Sequence, residues 1–240
     1  MDPLQTSTGR QAGPEGTPNP LLIVVPTQTE QAHLLSALAK VGATVEESKL
    51  GRLATCQVSS LNAVIALGGL GKTQFAVQTQ HLLTVREWRF VICAGSAGSL
   101  SDELSTGDVV VATETVEHDI RKVARSTMPR FFADESLIAR CRGVVQDLTN
   151  VRVQFGAIAS GDEDIVGETR RAELRGSTGA VAVAWEGAGG ARACQFSGVA
   201  FLEVRGITDI ADANGPRDFA QHLATAMENV ALVVSRIALS

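Results

Sequence analysis

Two carboxylates and a guanidinium share one apolar, glycine-rich stretch, AVAVAWEGAGGARACQFSGVAFLEVRGITDIADANGPRD, from Ala180 to Asp218. Glu186 lies just past an apolar strand, Val181 to Val183. Arg205 and the pair Thr208-Asp209 follow a second strand, Phe201 to Val204. In an open α/β sheet, ligands bind outside the carboxyl ends of the strands. Two acids and an arginine placed there can hold hydroxyl groups and move a proton. Either acid alone reads equally well as a solvated surface group. Their shared setting, at strand ends among small and apolar residues, favours a functional reading.

Other candidates are weaker. ALGGLGKT, Ala66 to Thr73, is close to a phosphate-cradling loop but has alanine where Gly-x-x-x-x-Gly-Lys-[Ser/Thr] needs its first glycine. A tight strand-to-helix turn is the simpler expectation. Gly95-Ser96-Ala97-Gly98 follows the apolar run Phe90 to Ala94, and glycines there let backbone N–H groups approach a ligand. The spacing is not that of a dinucleotide fingerprint. His118 and Asp119 are neighbours, and adjacent residues on a strand face opposite ways, which argues against a direct relay. His33, His81 and His222 lie in helical patterns. Trp185, beside Glu186, could stack on a base or fill core.

The elements that must position these groups alternate between strand and helix. Leu21 to Val25 is a continuous apolar run ending at Pro26, the pattern of a buried strand. Thr27 to Glu30 begins a helix running to about Val41. Half-exposed strands are expected over residues 43–60, a buried strand over Asn62 to Leu67, and a helix over Lys72 to Leu83. Further strands are expected at Phe90 to Ala94, Val109 to Thr113 and Val151 to Ala159. Residues 121–130 read as a loop, Asp134 to Leu148 as a helix capped by Asp134, and Asp218 to Ala238 as a long amphipathic helix. This alternation implies a three-layer α/β sandwich. Residues 1–20 read as a disordered leader and residues 21–240 as a single domain.

The chain has 240 residues, 45% of them hydrophobic, and a net charge of −5 without a long basic run. That argues against nucleic acid as a partner, because neutralising phosphates needs clustered Lys and Arg. No apolar run reaches the ~18 residues of a membrane helix. Cys56, Cys93, Cys141 and Cys194 lack metal-ligand spacing, and reduced buried thiols in a cytoplasmic protein are expected.

Several stretches occur in the order found in the nucleoside phosphorylase/nucleosidase superfamily: GGLGK (Gly68 to Lys72), VICAGSAGSLSDELSTGDVVVATETVEHD (Val91 to Asp119), IASGD (Ile158 to Asp162), the Glu186 strand, and VRGITDIAD (Val204 to Asp212). The chain resembles that superfamily over roughly residues 21–240, and its methylthioadenosine/S-adenosylhomocysteine nucleosidase branch in particular. The resemblance implies a mixed central sheet and cleavage of a nucleoside N-glycosidic bond. It gives Asp209 the role of protonating the leaving base and Glu186 that of holding the ribose hydroxyls. Ser96 and Arg205 fall near the attacking water, with Ala97 and Gly98 beside them. Phe219 lines the 5′ side, and Ile165 meets the base. No metal or organic cofactor is implied, and a homodimer acting on a small-molecule nucleoside is.

Hydrolysis fits better than phosphorolysis. Phosphorylases of the superfamily carry an arginine before the Gly-Ser turn and a Gly-Asp-Pro-x-Arg run after the first strand. Here Cys93 and Pro26-Thr27-Gln28 stand in those places, without a cationic clamp for phosphate. The chain also departs from the nucleosidase pattern. Counting back from Leu34-Leu35 puts Gln31 where a water-activating glutamate belongs, with Glu30 one residue away. Helical spacing from Leu34 favours Gln31 as the inward residue and leaves Glu30 as the alternative base. Asp164 replaces a purine-stacking phenylalanine, Trp185 a methionine, and Ala184 an acid. The loop at 121–130 is short and lacks aromatics. A hydrolase, a phosphorylase and a catalytically weak nucleoside-binding protein therefore all remain open.

Overall fold

In the computed structural model, residues 18–120, 127–212 and 215–240 are described. The expected leader falls almost wholly outside them, as does most of the expected loop at 121–130. The strands are β1 (Leu21–Val25), β2 (Val45–Leu50), β3 (Leu53–Val58), β4 (Ala63–Leu67), β5 (Val91–Ser99), β6 (Val109–Glu117), β7 (Arg130–Phe132), β8 (Val153–Ser160), β9 (Ala182–Ala184) and β10 (Phe201–Asp209). The helices are α1 (Gln28–Lys40), α2 (Gly71–Val85), α3 (Glu135–Val145), α4 (Glu168–Thr178), α5 (Gly187–Ser197) and α6 (Gly215–Ala238).

All ten strands join one mixed sheet. β1 lies between β4 and β5, parallel to both, and β2 and β3 extend that end antiparallel. β1 shows why three layers form. Leu21, Ile23 and Val25 pack into a core shared with α1, α3 and α6, whereas Leu22 and Val24 pack with Phe75, Leu82 and Leu83 of α2 and Cys194 of α5. A strand's successive side chains face opposite ways, so a strand apolar at every position needs helices on both faces.

The other end of the sheet curls. β5 pairs with β10, β10 with β6, β6 with β8, β8 with β9, and β9 returns to β5. These five strands form a closed ring. Its apolar filling includes Ala97, Val110, Ala112, Ile158, Ala182 and Ile207. Small side chains suit so narrow an interior.

β5, β6 and β10 all outrun their sequence expectation, β6 by running on to Glu117, and the corrections to β5 and β10 bear on the site. β5 continues through Gly95-Ser96-Ala97-Gly98, and β10 runs past Arg205 to Asp209. The two pair in parallel up to Asp209 opposite Gly98, with a register shift between Ile207 and Asp209. The glycines sit in the strand, where they admit side chains from neighbouring elements. The ALGGLGKT segment is a strand-to-helix turn between β4 and α2. All four cysteines are free, and three are buried. Among the described residues, no helix is long and apolar enough to cross a membrane.

Candidate active site

The carboxyl ends of β1, β5, β9 and β10 open onto a cleft of about 380 Å³. Glu30, Ser96, Ala97, Gly98, Asp164, Ile165, Trp185, Glu186, Arg205, Asp209 and Phe219 all line it. These sequence candidates therefore meet at one place, whereas Gln31, His118 and Asp119 do not line it.

Glu30 enters the cleft from the first turn of α1. Thr27 is the N-cap of this helix, and its hydroxyl accepts a bond from the Glu30 N–H at 3.2 Å. The Glu30 side chain folds back, and its Oε2 accepts from the Thr27 N–H at 3.0 Å and from the Thr27 hydroxyl at 2.6 Å. This reciprocal capping box fixes the side-chain direction. The other oxygen accepts from the Ser96 N–H at 2.8 Å and the Ser96 Oγ at 2.7 Å. Glu30 is 2% exposed. The expectation that Gln31 faces inward is therefore corrected. Positions three and four before Leu34 lie on nearly the same helical face, so spacing alone does not separate them. The Thr27-x-x-Glu30 signature does, and it was present in the sequence.

Arg205 and Glu186 form the floor. Arg205 projects from β10 and is 1% exposed. Its Nε donates to Glu203 Oε1 at 2.8 Å, one Nη to Glu186 Oε2 at 3.1 Å, and the other to the Ser96 carbonyl at 3.2 Å. Glu203 also accepts from the Thr115 hydroxyl at 2.7 Å. Burial opposes the arginine's charge, but Glu203, Glu186 and Glu30 outweigh it and hold the guanidinium ionised. The remaining oxygen of Glu186 accepts from the Gly71 N–H at 3.2 Å, at the N-terminus of α2. Burial raises the Glu186 pKa, and Arg205 works against that rise.

Asp209 ends β10. Its carboxylate accepts from the Thr208 hydroxyl at 2.8 Å and the Ala211 N–H at 2.9 Å. Ala211 holds a left-handed backbone, φ 53°, and so directs its N–H back at the acid. Burial raises the Asp209 pKa despite these bonds, and Asp218 and Asp212 push the same way. Its proton is thus held to higher pH than an ordinary aspartate's, which suits a proton donor. The register shift in β10 re-aims the strand end, and Thr208 and Asp209 both line the cleft.

Trp185 faces the cleft, and its carbonyl accepts from Ser160 Oγ at 2.8 Å. Ile165 is buried, Asp164 is exposed, and both belong to the segment between β8 and α4. Cys93 is fully buried beneath the site with its thiol pKa pushed well up by burial. Asp119 accepts from Lys72 and from the Asp162 N–H, which leaves it engaged away from His118.

Sequence reasoning missed three contributors. Thr27 was read only as part of a helix start. Gly95 was read as a turn glycine, but its missing side chain makes room for two site groups: a Cβ would lie 2.7 Å from Arg205 Nη1 and 3.0 Å from Glu30 Oε1, so one or both would have to shift. Glu203, an acid inside an apolar strand two residues before Arg205, had a visible signal, since residues i and i+2 of a strand share a face.

Comparison with known proteins shows which family the chain belongs to. The profile of the phosphorylase superfamily matches residues 20–238. A 5′-methylthioadenosine/S-adenosylhomocysteine nucleosidase of Marinomonas sp. (strain MWYL1) is 34% identical over 185 residues, 73% of this chain and 80% of that protein. The protein of the same description from Baumannia cicadellinicola is 36% identical over 183 residues, covering 72% and 80%. The Neisseria meningitidis nucleosidase solved with methylthio-immucillin-A superposes with a TM-score of 0.81 at 28% identity, over 92% of this chain and 98% of that one. Futalosine hydrolase of Helicobacter pylori gives 0.81 at 25% identity, over 91% and 97%. The chain belongs to the phosphorylase superfamily.

Proposed function

We propose that this protein is an N-ribosyl hydrolase that cleaves the glycosidic bond of a purine nucleoside, with 5′-methylthioadenosine the first substrate to test. The observation that carries this reading is the inward carboxylate of Glu30, hydrogen-bonded to Ser96. Hydrolysis needs a base for water, and phosphorolysis needs a cationic clamp for phosphate. The cleft offers the first. Arg205 is already engaged by Glu203 and Glu186.

In this mechanism Asp209 donates a proton to the departing base as the C1′–N bond breaks. Glu30 takes a proton from the water that forms the new C1′–O bond. The sugar gains positive charge in the transition state, and the nearby Glu30 and Glu186 carboxylates stabilise it. Glu186 also accepts hydrogen bonds from the ribose hydroxyls. Ile165 and Trp185 contact the base, and Phe219 borders the 5′ substituent. Asp164 leaves the base face without an aromatic cover at that position. The reading includes a homodimer in the cytoplasm. The four free cysteines support the compartment. Val166, on the cleft wall and 55% exposed, supports a covering second copy.

The test is product analysis in phosphate-free buffer and with added orthophosphate. Free adenine and free methylthioribose should appear equally in both. A sugar 1-phosphate, or turnover that depends on phosphate, would overturn the hydrolase reading.

A further inference from the structure

Glu186 is held by two donors. One is Arg205, already part of the site. The other is the Gly71 N–H, at the first residue of α2, whose aim depends on the shape of the turn that leads from β4 into that helix. Gly71 has φ +78°, a left-handed backbone, and a Cβ on it would lie 3.1 Å from Asp162 Oδ1. Something must hold this turn against the end of the sheet, and the neighbouring residue does so at three points.

The Lys72 N–H donates to Asp162 Oδ1 at 2.8 Å. The Lys72 carbonyl packs so closely on α5 that a Cβ at Gly189 would lie 2.2 Å from it. The Lys72 ammonium bonds Glu117 Oε1 at 2.9 Å and also bonds Asp119. Asp119 closes the circuit by accepting from the Asp162 N–H at 2.9 Å. The Lys72 side chain is 16% exposed, and that of Glu117 is 6% exposed. An ammonium at a helix N-terminus opposes the helix dipole, so its placement there requires these two carboxylates. Its partners stand at the carboxyl end of β6, and Asp162 begins the segment that carries Asp164 and Ile165 into the cleft. None of these Lys72 contacts lies among the cleft-lining residues.

We propose that Lys72 is a positioning residue for Glu186: its ion pairs with Glu117 and Asp119 lock the Gly68–Lys72 turn so that the Gly71 N–H meets the carboxylate that holds the ribose hydroxyls. This rests on the hydroxyl-binding role proposed for Glu186. Lys72 touches neither substrate nor the reacting atoms, and it acts through the aim of one carboxylate. Its loss should therefore be felt only by substrates that carry the hydroxyl Glu186 recognises.

The experiment measures kcat/KM for methylthioadenosine and for its 2′-deoxy and 3′-deoxy counterparts in the wild type, Lys72→Met, Lys72→Arg and Glu186→Ala. In Lys72→Met the preference for the ribonucleoside over the affected deoxynucleoside should fall about tenfold, the scale of one hydrogen bond to a charged group. The deoxynucleoside's own kcat/KM should be nearly unchanged, and Lys72→Arg should keep most of the preference. A uniform loss on all three substrates, or an unchanged preference, would overturn the positioning role. Should Lys72→Met fail to fold, Asp119→Asn weakens the same lock and should shift the preference in the same direction. Glu186→Ala separates the two readings. If it keeps the hydroxyl preference, the role of Glu186 is wrong and the inference about Lys72 falls with it. If it loses the preference while Lys72→Met and Asp119→Asn keep it, only Lys72 is excluded.

Discussion

At neutral pH a carboxylate can take a proton from water and an amide cannot, so the identity of the inward residue at the start of α1 bears directly on activity. Glu30 faces the cleft with four donors around it, and Gln31 is half-buried beside it. Glutamine is accepted at the third position of a capping box, so Glu30→Gln preserves the helix start while removing the base. Its kcat should fall by roughly 10²–10⁴-fold, the usual contribution of a positioned general base, with nucleoside binding retained by calorimetry. Gln31→Glu should leave kcat near the wild type. A Glu30→Gln protein with wild-type turnover, or a Gln31→Glu protein that gains activity, would show that water is activated elsewhere. The sequence carried enough to place Glu30, but through the Thr27-x-x-Glu30 cap and not through helical spacing.

The elements were legible where side-chain type and period agree. β1 is a run of Leu, Ile and Val and the first half of β5 is the apolar Val91-Ile92-Cys93-Ala94, and their positions follow directly. The continuation of β5 through Gly95-Ser96-Ala97-Gly98 was not legible, because glycine has no strand preference and reads locally as a turn. Its pairing comes from β10 and β9, which are distant in sequence. The helix α4 was also unread. Its sequence ETRRAELRGST buries only Leu174 and Thr178, too few residues to mark a helical face. The same tertiary control explains Gly95. Arg205, Glu30 and Pro26 converge on the space a side chain there would fill. Gly95→Ala should destabilise the fold by about 1–3 kcal/mol through overpacking. It should also cost far more in kcat/KM than that modest loss implies at temperatures where the protein stays folded, since both Arg205 and Glu30 must shift. Thermal melts run beside kinetics check this, and full activity at 25 °C would mean that the two side chains accommodate a methyl group without losing their aim.

At the scale of the whole molecule, the ring of β5, β10, β6, β8 and β9 is joined through a buried charge network as well as through its ladders. Glu203 on β10 accepts from Thr115 on β6 and from Arg205, and Arg205 reaches the β5 carbonyl of Ser96 and the carboxylate of Glu186 beyond β9. Gly187, just after Glu186, leaves room for this network, since a Cβ there would lie 2.1 Å from Glu203 Oε2. Replacing a whole buried ion network by apolar groups can be neutral, but removing one partner strands the other charge and costs about 3–5 kcal/mol. Glu203→Ala removes one such partner: it deprives Arg205 of its Nε acceptor, leaving Glu186 as its remaining carboxylate bond, and Thr115 of its partner, and both groups are almost fully buried. For a chain of this size each kcal/mol lowers Tm by roughly 2–4 °C, so calorimetry should register a fall of roughly 6–20 °C. Glu203 does not line the cleft, yet its loss should also weaken catalysis, because the freed guanidinium can turn toward Glu186 and Glu30 and alter both carboxylates. Unchanged Tm together with unchanged kcat would show that the network neither stabilises the ring nor sets the charge of the site, and the fold would then rest on its apolar layers alone.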